Sequence, residues 1–406
     1  MDQRKSDRNV GVPTEFERDV VMLLLDAMRA VAKQEREDVG TESVLNALVS
    51  GDSAAGSAIA PGIRAAGSLG GSIGCRETSV WVSRDADDGT AGSPEDEAEI
   101  DALWRDVRHE EAKRLRWINR KKKEQQGSLE LPPMTGALRS ALRKALETAR
   151  EEGTVAVRVR HVARALVELP DTRAREAMVL EKVDVSAAST ALDALRGTEE
   201  VPEPTSVLML RKAGTFGKSG NPLTRKFTAW VFGGGAGFGS AVVGGVRSES
   251  ARGAVRRGAS EVEPVDLLLG ILALDRSLTV AGRELPEKLR GANRGAELLR
   301  RYGARQDALA RALLPTTGVA EEEPPEVRGA ADFERRLLHV AQLTASAQGS
   351  STVGTTHLLA ALLNEAGTDA QSAAEIERVL TECGADVAGL RAEPELRVPG
   401  GTAQVS

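Results

Sequence analysis

Aromatic side chains are scarce, making up 3% of the 406 residues with a single tyrosine among them. A core built from this chain must therefore rely on Ala, Leu and Val. That palette suits close-packed helices better than sheets, whose strands favour β-branched and aromatic residues. Cysteine is nearly absent. Cys75 and Cys383 are too few and too far apart for a disulfide framework or a four-ligand zinc site, so each reads as a small buried thiol in a reducing cytoplasm. A basic excess is also missing: the formal charge is -6, which gives no bulk attraction to phosphate backbones and argues against nucleic acid as a partner. No apolar run follows the charged N-terminal residues, so a secretory leader is not expected. The four histidines, His109, His161, His339 and His357, show no convergent partners for metal or general-base chemistry, and no resident cofactor is expected.

Long uncharged runs are rare as well. The exception is FTAWVFGGGAGFGSAVVGGV, residues 227–246, which is twenty residues long and flanked by Arg225, Lys226 and Arg247. It has the minimum length of a membrane span. Seven of its residues are Gly, which weakens helix propensity and hydrophobicity, so a Gly-rich loop entering a helix is the favoured reading and a membrane tether the alternative.

What the chain does contain is an echo. VGTESVLNALV at 39–49 returns as VRVRHVARALV at 157–167, VEPVDLLLGIL at 262–272 and VGTTHLLAALL at 353–363. The same slots are apolar each time: Val44, Leu45, Leu48, Val49; Val162, Ala163, Leu166, Val167; Leu267, Leu268, Ile271, Leu272; Leu358, Leu359, Leu362, Leu363. Spacing of i, i+1, i+4, i+5 paints one face of a helix, so each copy predicts a short amphipathic helix. Thr41 and Thr355 stand where a side-chain oxygen could cap that helix, Pro264 suits its opening turn, and Val159 supplies no cap. His161 and His357 share one slot, which points to a structural role at a helix start.

A longer helical pattern precedes each copy: 16–32, 138–152, roughly 239–258, and 333–347. Downstream, IRAAG (63–67), LRRYG (299–303) and LTECG (380–384) each place Gly where a helix would end in a left-handed cap. Closing helices are expected at 305–314 and 386–391. A unit of this size cannot hide its apolar face alone, whereas two packed together can.

A long helix followed by V-G-T-x-H-L-L-x-A-L-L and L-x-x-x-G resembles the repeat of the Clp protease N-terminal domain, which stands at the front of Clp unfoldases. The likeness is strongest at Gly354-Thr355-Thr356-His357-Leu358-Leu359, and the spacing from Phe16 to Gly40-Thr41 matches the first repeat of that family. The resemblance implies an all-α fold of two domains, each a pseudo-twofold pair of repeats. These are 16–197 (repeats 16–67 and 134–197, insertion 68–133) and 236–395 (repeats 236–314 and 328–395). Around them lie a flexible tail at 1–15, a linker and Gly-rich loop at 198–235, and a C-terminal tail at 396–406. Within the insertion, 68–92 is rich in Gly, Ser and Asp, and 94–126 reads as a long exposed helix. Its acidic start and basic close (120–123) match the macrodipole, and its sticky face of Ile100, Leu103, Trp104 and Val107 is expected to pack on its own domain.

The same resemblance implies capture of protein or peptide ligands, with Thr41, Glu42 and Phe16 as the candidate ligand residues. Glu42 is the one Glu of the four repeats that matches the carboxylate with which some members of that family receive phosphorylated arginine. Its counterparts are Arg160, Val265 and Thr356, and a first-turn carboxylate also favours the helix dipole whatever it binds. No ATPase module fits once four repeats are assigned. KAGTFGKS at 212–219 has Lys where a phosphate loop requires its first Gly, with Pro222 following. LLLGILALD at 267–275 imitates a Walker B strand but belongs to a repeat helix. The expectation is a non-enzymatic cytoplasmic binding protein acting on Clp unfoldase components or their clients. A degenerate phosphate-loop NTPase is the alternative, beside the membrane tether.

Overall fold

A computed structural model describes residues 11–87, 89–90, 92–122, 131–198, 202–217, 240–313, 331–364 and 367–398. All four echoed segments are helical there. In chain order the first unit, Thr14–Pro202, contains β1 (Glu15–Phe16), α1 (Arg18–Lys33), α2 (Thr41–Ser50), α3 (Ala54–Ile59), α4 (Gly62–Gly74), α5 (Pro94–Lys122), α6 (Gly136–Glu151), β2 (Ala156–Val157), α7 (Val159–Glu168), α8 (Arg173–Leu180) and α9 (Val185–Ala194). The second unit, which takes in the residues through Pro13 together with Glu203–Pro315 and the chain from Glu326, contains α10 (Thr205–Lys212), α11 (Ala241–Arg257), α12 (Pro264–Val280), α13 (Glu287–Arg290), α14 (Gly295–Arg301), α15 (Gln306–Leu313), α16 (Ala331–Ala347), α17 (Thr355–Leu362), α18 (Ala370–Glu382) and α19 (Val387–Ala392). The protein is thus mostly helical.

The echoed apolar faces form the centres of two separate cores. Val44, Leu45, Val162 and Leu166 are fully enclosed in the first, and Leu268, Ile271, Leu358 and Leu359 in the second. Helices of ten residues are marginal by themselves, so it is burial, about 1.5–3 kcal/mol for each enclosed Leu or Val, that holds them.

In the first unit the backbone ties the two repeats reciprocally. β1 pairs in parallel with β2, Phe16 opposite Val157, while Val39 bridges Met134, also in parallel. Phe16 and Met134 each precede a long helix, and Val39 and Val157 each precede a short one. Both sets are 118 positions apart. The hydrogen bonds repeat accordingly: Glu17 N donates to Val157 O (3.0 Å), and Thr135 N donates to Val39 O (3.1 Å). Each repeat's entry is therefore fastened to the lead-in of the other's short helix.

Several expectations change. The helix opening at 62 runs through Gly67 to Gly74, so Gly67 is no cap. Gly303 (φ +89°) and Gly384 (φ +76°) do take the left-handed conformation just past α14 and α18. The third copy's helix is 17 residues long rather than short, because Leu274 and Leu278 continue its buried face. Leu363 lies outside α17 and is half-buried. Residues 205–212, expected in a linker, form α10, whose Val207 and Leu210 enter the second core. Residues 11–13, expected in a tail, are held by Gly11 O accepting from Asp307 N (3.1 Å) and Pro13 O accepting from Arg276 Nε (3.3 Å).

Helix α5 is not free-standing. Ile100, Leu103, Trp104 and Val107 are buried in the first core. A charged flank fixes it to α6: Arg139 reaches Glu97 (2.8 Å) and Asp101 (2.7 Å), Arg143 reaches Glu97 (2.8 Å), and Arg150 pairs with Asp96. The side chains of its basic close, 120–123, lie outside the described residues.

Candidate functional site

Phe16, Thr41 and Glu42 are all enclosed, at 0%, 0% and 1% exposure. Phe16 serves the first core and the strand pair, and its N–H donates to Glu99 Oε1 (3.0 Å). Thr41 and Glu42 meet in a polar cluster elsewhere in the unit. All three candidate ligand residues are therefore covered in this conformation.

Thr41 does not cap its own helix either. The N-cap of α2 is Gly40, and the Thr41 hydroxyl instead crosses to the other repeat, accepting from Ala174 N at the start of α8 (3.0 Å). It donates to Asp85 Oδ1 (2.6 Å). Asp85 belongs to the insertion and is 1% exposed. Its Oδ1 also accepts from Arg173 N (3.0 Å), and its Oδ2 accepts from Thr41 N (2.8 Å) and Thr135 Oγ1 (2.8 Å). Its backbone carbonyl accepts from Ala137 N (2.9 Å). One carboxylate thus gathers the starts of α2, α6 and α8, where free N–H groups and the helix dipoles favour negative charge. It does so from a backbone at φ +54°, a conformation Asp tolerates but one that needs compensating contacts.

Around this hub the charges are crowded. Arg173 bonds to Asp38 (2.8 Å) and lies 3.7 Å from Glu42 Oε1, while Arg36 lies 3.8 Å from the same oxygen. Ser43 Oγ donates to Glu42 Oε1 (3.2 Å), but Glu42 Oε2 is buried with no hydrogen-bond partner. Burial first, and then the negative Asp85, push the Glu42 carboxyl above the usual range, with Arg173 opposing.

Residues 75–87 form a strap that brings Asp85 into this cluster. Arg36 Nη2 donates to Ile73 O (3.1 Å) and Arg76 O (2.7 Å) at its base, and the Arg76 guanidinium lies 5.2 Å from the centre of the Trp81 ring. Further along, Val82 N and Ser83 N both donate to Glu176 Oε2 of α8 (3.0 and 3.1 Å). Strap and helix together carry exposed apolar side chains: Val80, Val82 (88% exposed), Val179 and Leu180. The sequence reading missed Asp85, Arg173 and these valines, because no local pattern marks residues that a fold brings together across ninety positions.

The second unit has its own version of the junction. Thr355 Oγ1 accepts from Gly295 N at the start of α14 (3.1 Å), and Thr356 Oγ1 accepts from Arg294 N (2.9 Å). Thr355 N donates to Asn293 Oδ1 (2.9 Å), whose own amide donates to Leu289 O (2.7 Å).

The paired histidines sit at helix starts, His161 Nδ1 accepting from Arg158 N (2.8 Å) and His357 Nδ1 from Gly354 N (3.0 Å). With Nδ1 accepting, the neutral ring of His161 carries its proton on Nε2, 3.2 Å from Glu152 Oε2. Burial, then Arg160, brings the His161 pKa down to about 4, and the Arg160 hydrogen bond holds Glu152 at about 2. Asp266 takes the same slot in the third copy, accepting from Glu263 N (2.8 Å).

Of the phosphate-loop candidate, Lys212 closes helix α10 rather than following a strand, and Lys218 and Ser219 lie outside the described residues. The imitation Walker B segment is helical, within α12. Cys75 is exposed and Cys383 half-buried, so neither is the enclosed thiol expected. Among the described residues no group of three or more His, Cys, Asp or Glu could hold a metal ion. No helix among them is long and apolar enough to cross a membrane. Residues 227–239 lie outside them, and Val242, Val243 and Val246 of the same stretch are buried in α11. No protein-family model, no curated protein and no solved structure matches this chain.

Proposed function

We propose that the chain is a non-catalytic, cytoplasmic binding protein built from paired Clp-type repeats. It recognises clients, adaptors or peptide-like ligands of Clp unfoldases and modulates Clp-dependent proteolysis as adaptor, competitor or decoy. The observation that carries this reading is the reciprocal exchange at a constant offset of 118 positions, by which two copies of one helical unit close over each other. The fourfold motif supports it, and the exposed apolar side chains of Val80, Val82, Val179 and Leu180 supply a surface suited to unfolded or apolar peptide.

The test is degradation of a fluorescein-labelled unfolded substrate by a purified Clp unfoldase and its peptidase, with the chain titrated in. The reading expects a dose-dependent rise or fall in rate. It further expects that Val82→Asp combined with Val179→Asp weakens the effect at least threefold while stability stays within about 0.5 kcal/mol of wild type. No change in rate, together with no binding to any peptide ligand of a Clp N-terminal domain, overturns it. Phosphate release that disappears in Lys218→Ala would instead establish the NTPase alternative.

A further inference from the structure

We propose that Asp85 is an internal ligand: its carboxylate fills a pocket that both repeats of the first unit build for a carboxylate group, and it thereby latches the 75–87 strap over Thr41 and Glu42. The pocket has the marks of a receptor. Two donors converge on each oxygen, Thr41 Oγ1 and Arg173 N on Oδ1, Thr41 N and Thr135 Oγ1 on Oδ2, all at 2.6–3.0 Å. The donors come from α2 and α8 and from the N-cap of α6, which are unconnected in sequence, so the pocket exists only once the repeats have closed. Its occupant comes from the inserted segment and not from either repeat.

The arrangement also selects among anions. A planar, two-oxygen group satisfies all four donors. The third and fourth oxygens of sulfate or phosphate would add charge beside Glu42, whose Oε2 is already enclosed without a hydrogen-bond partner. The ligand class is therefore a carboxylate, such as an acidic side chain or a chain terminus of a partner protein. Being tethered, Asp85 holds its place at a high effective concentration, which free carboxylates at low concentration do not displace. Release would uncover Thr41, Glu42 and the ring of Trp81, which is 7% exposed in the latched state.

The experiment is chemical rescue of the full-length chain, with no Clp component present, so its failure is distinct from failure of the functional reading. In Asp85→Ala, sodium acetate should raise the thermal midpoint by about 2–4 °C relative to chloride at equal ionic strength, the signature of a ligand that binds only the folded state. Wild type should not move. Sulfate should give less than half the acetate effect. Should Asp85→Ala fail to fold, Asp85→Asn keeps the shape and one acceptor oxygen. In that variant the amides of Thr41 and Arg173 should exchange hydrogen at least tenfold faster than in wild type, and acetate should slow them. Acetate that leaves both variants unchanged, that stabilises wild type equally, or that is matched by sulfate overturns the assignment.

Discussion

Where Asp85 stands in the first unit, Asn293 stands in the second. Both accept the N–H of the threonine that opens a short helix, Thr41 in one case and Thr355 in the other, and each threonine hydroxyl then reaches the start of a helix in the neighbouring repeat. Asn293 is neutral, lies two residues before α14, and spends its own amide on a nearby carbonyl. Asp85 is charged, arrives from a distant insertion at a left-handed backbone angle, and gathers four donors instead of one. The second unit joins its repeats with parts supplied locally, whereas the first depends on a long-range buried charge. A buried carboxylate is costly to leave uncompensated and strong once fully bonded, so a junction of the first kind is the more sensitive to change.

That difference is open to attack. The largest effect is expected at the hubs: Asp85→Ala should cost about 3–5 kcal/mol by urea denaturation, and Asn293→Ala about 1–2 kcal/mol, since only the first strips a charged group from four buried donors. Equal losses would erase the contrast. Next come the threonines, where the near-isosteric Thr41→Val should cost about 1–3 kcal/mol and Thr355→Val about 1 kcal/mol, because only the Thr41 hydroxyl also donates to a carboxylate.

Two weaker effects depend on pH. His161 has a folded-state pKa of about 4, below the ordinary histidine value. Its neutral ring therefore supports the fold fully above about pH 6.5, and that support is lost as the pH falls toward 4. Replacing His161 with Asn, which can still accept from Arg158 N, should flatten stability measured across that window. The His357 pKa is lowered by burial alone, so His357→Asn should change the slope in the same sense without involving a partner carboxylate. Glu42 works in the opposite direction. Its raised pKa means that the carboxyl favours the fold in acid, and this contribution is lost as the pH rises through the folded-state value. Glu42→Gln should therefore stabilise the protein at pH 7 by less than the Thr41 loss and leave it unchanged well below pH 4.5. A destabilised Glu42→Gln at pH 7 would mean that Arg36 and Arg173 need the charge more than burial opposes it.

Much of the helical plan was readable because it is written in short-range chemistry. The i, i+1, i+4, i+5 stripes select a buried face wherever the partner comes from, and Gly303 and Gly384 mark helix ends through their own backbone angles. Gly354 in the VGT string is explained only by the fold, since a Cβ there would stand 2.0 Å from the Ala292 carbonyl oxygen. Gly67 misled because a glycine within α4 carries the same local signal as one at its end. Thr41 and Thr355 were recognised as helix-start residues, yet the choice between capping their own helix and a neighbour's depends on which backbone arrives within 3 Å. Asp85 stood unnoticed among the acidic residues of a Gly- and Ser-rich stretch, where nothing distinguishes a hub from a solvated loop.

The sequence alone determined that this chain is mostly helical and carries the same apolar spacing four times, because helix periodicity and apolar spacing act within a few residues and need no knowledge of the rest. Only the tertiary structure decided that Thr41 and Glu42 lie covered and that a carboxylate from the insertion joins three helix starts. Hydrogen bonds and desolvation depend on groups brought together from positions tens of residues apart, and a linear pattern holds no record of that meeting.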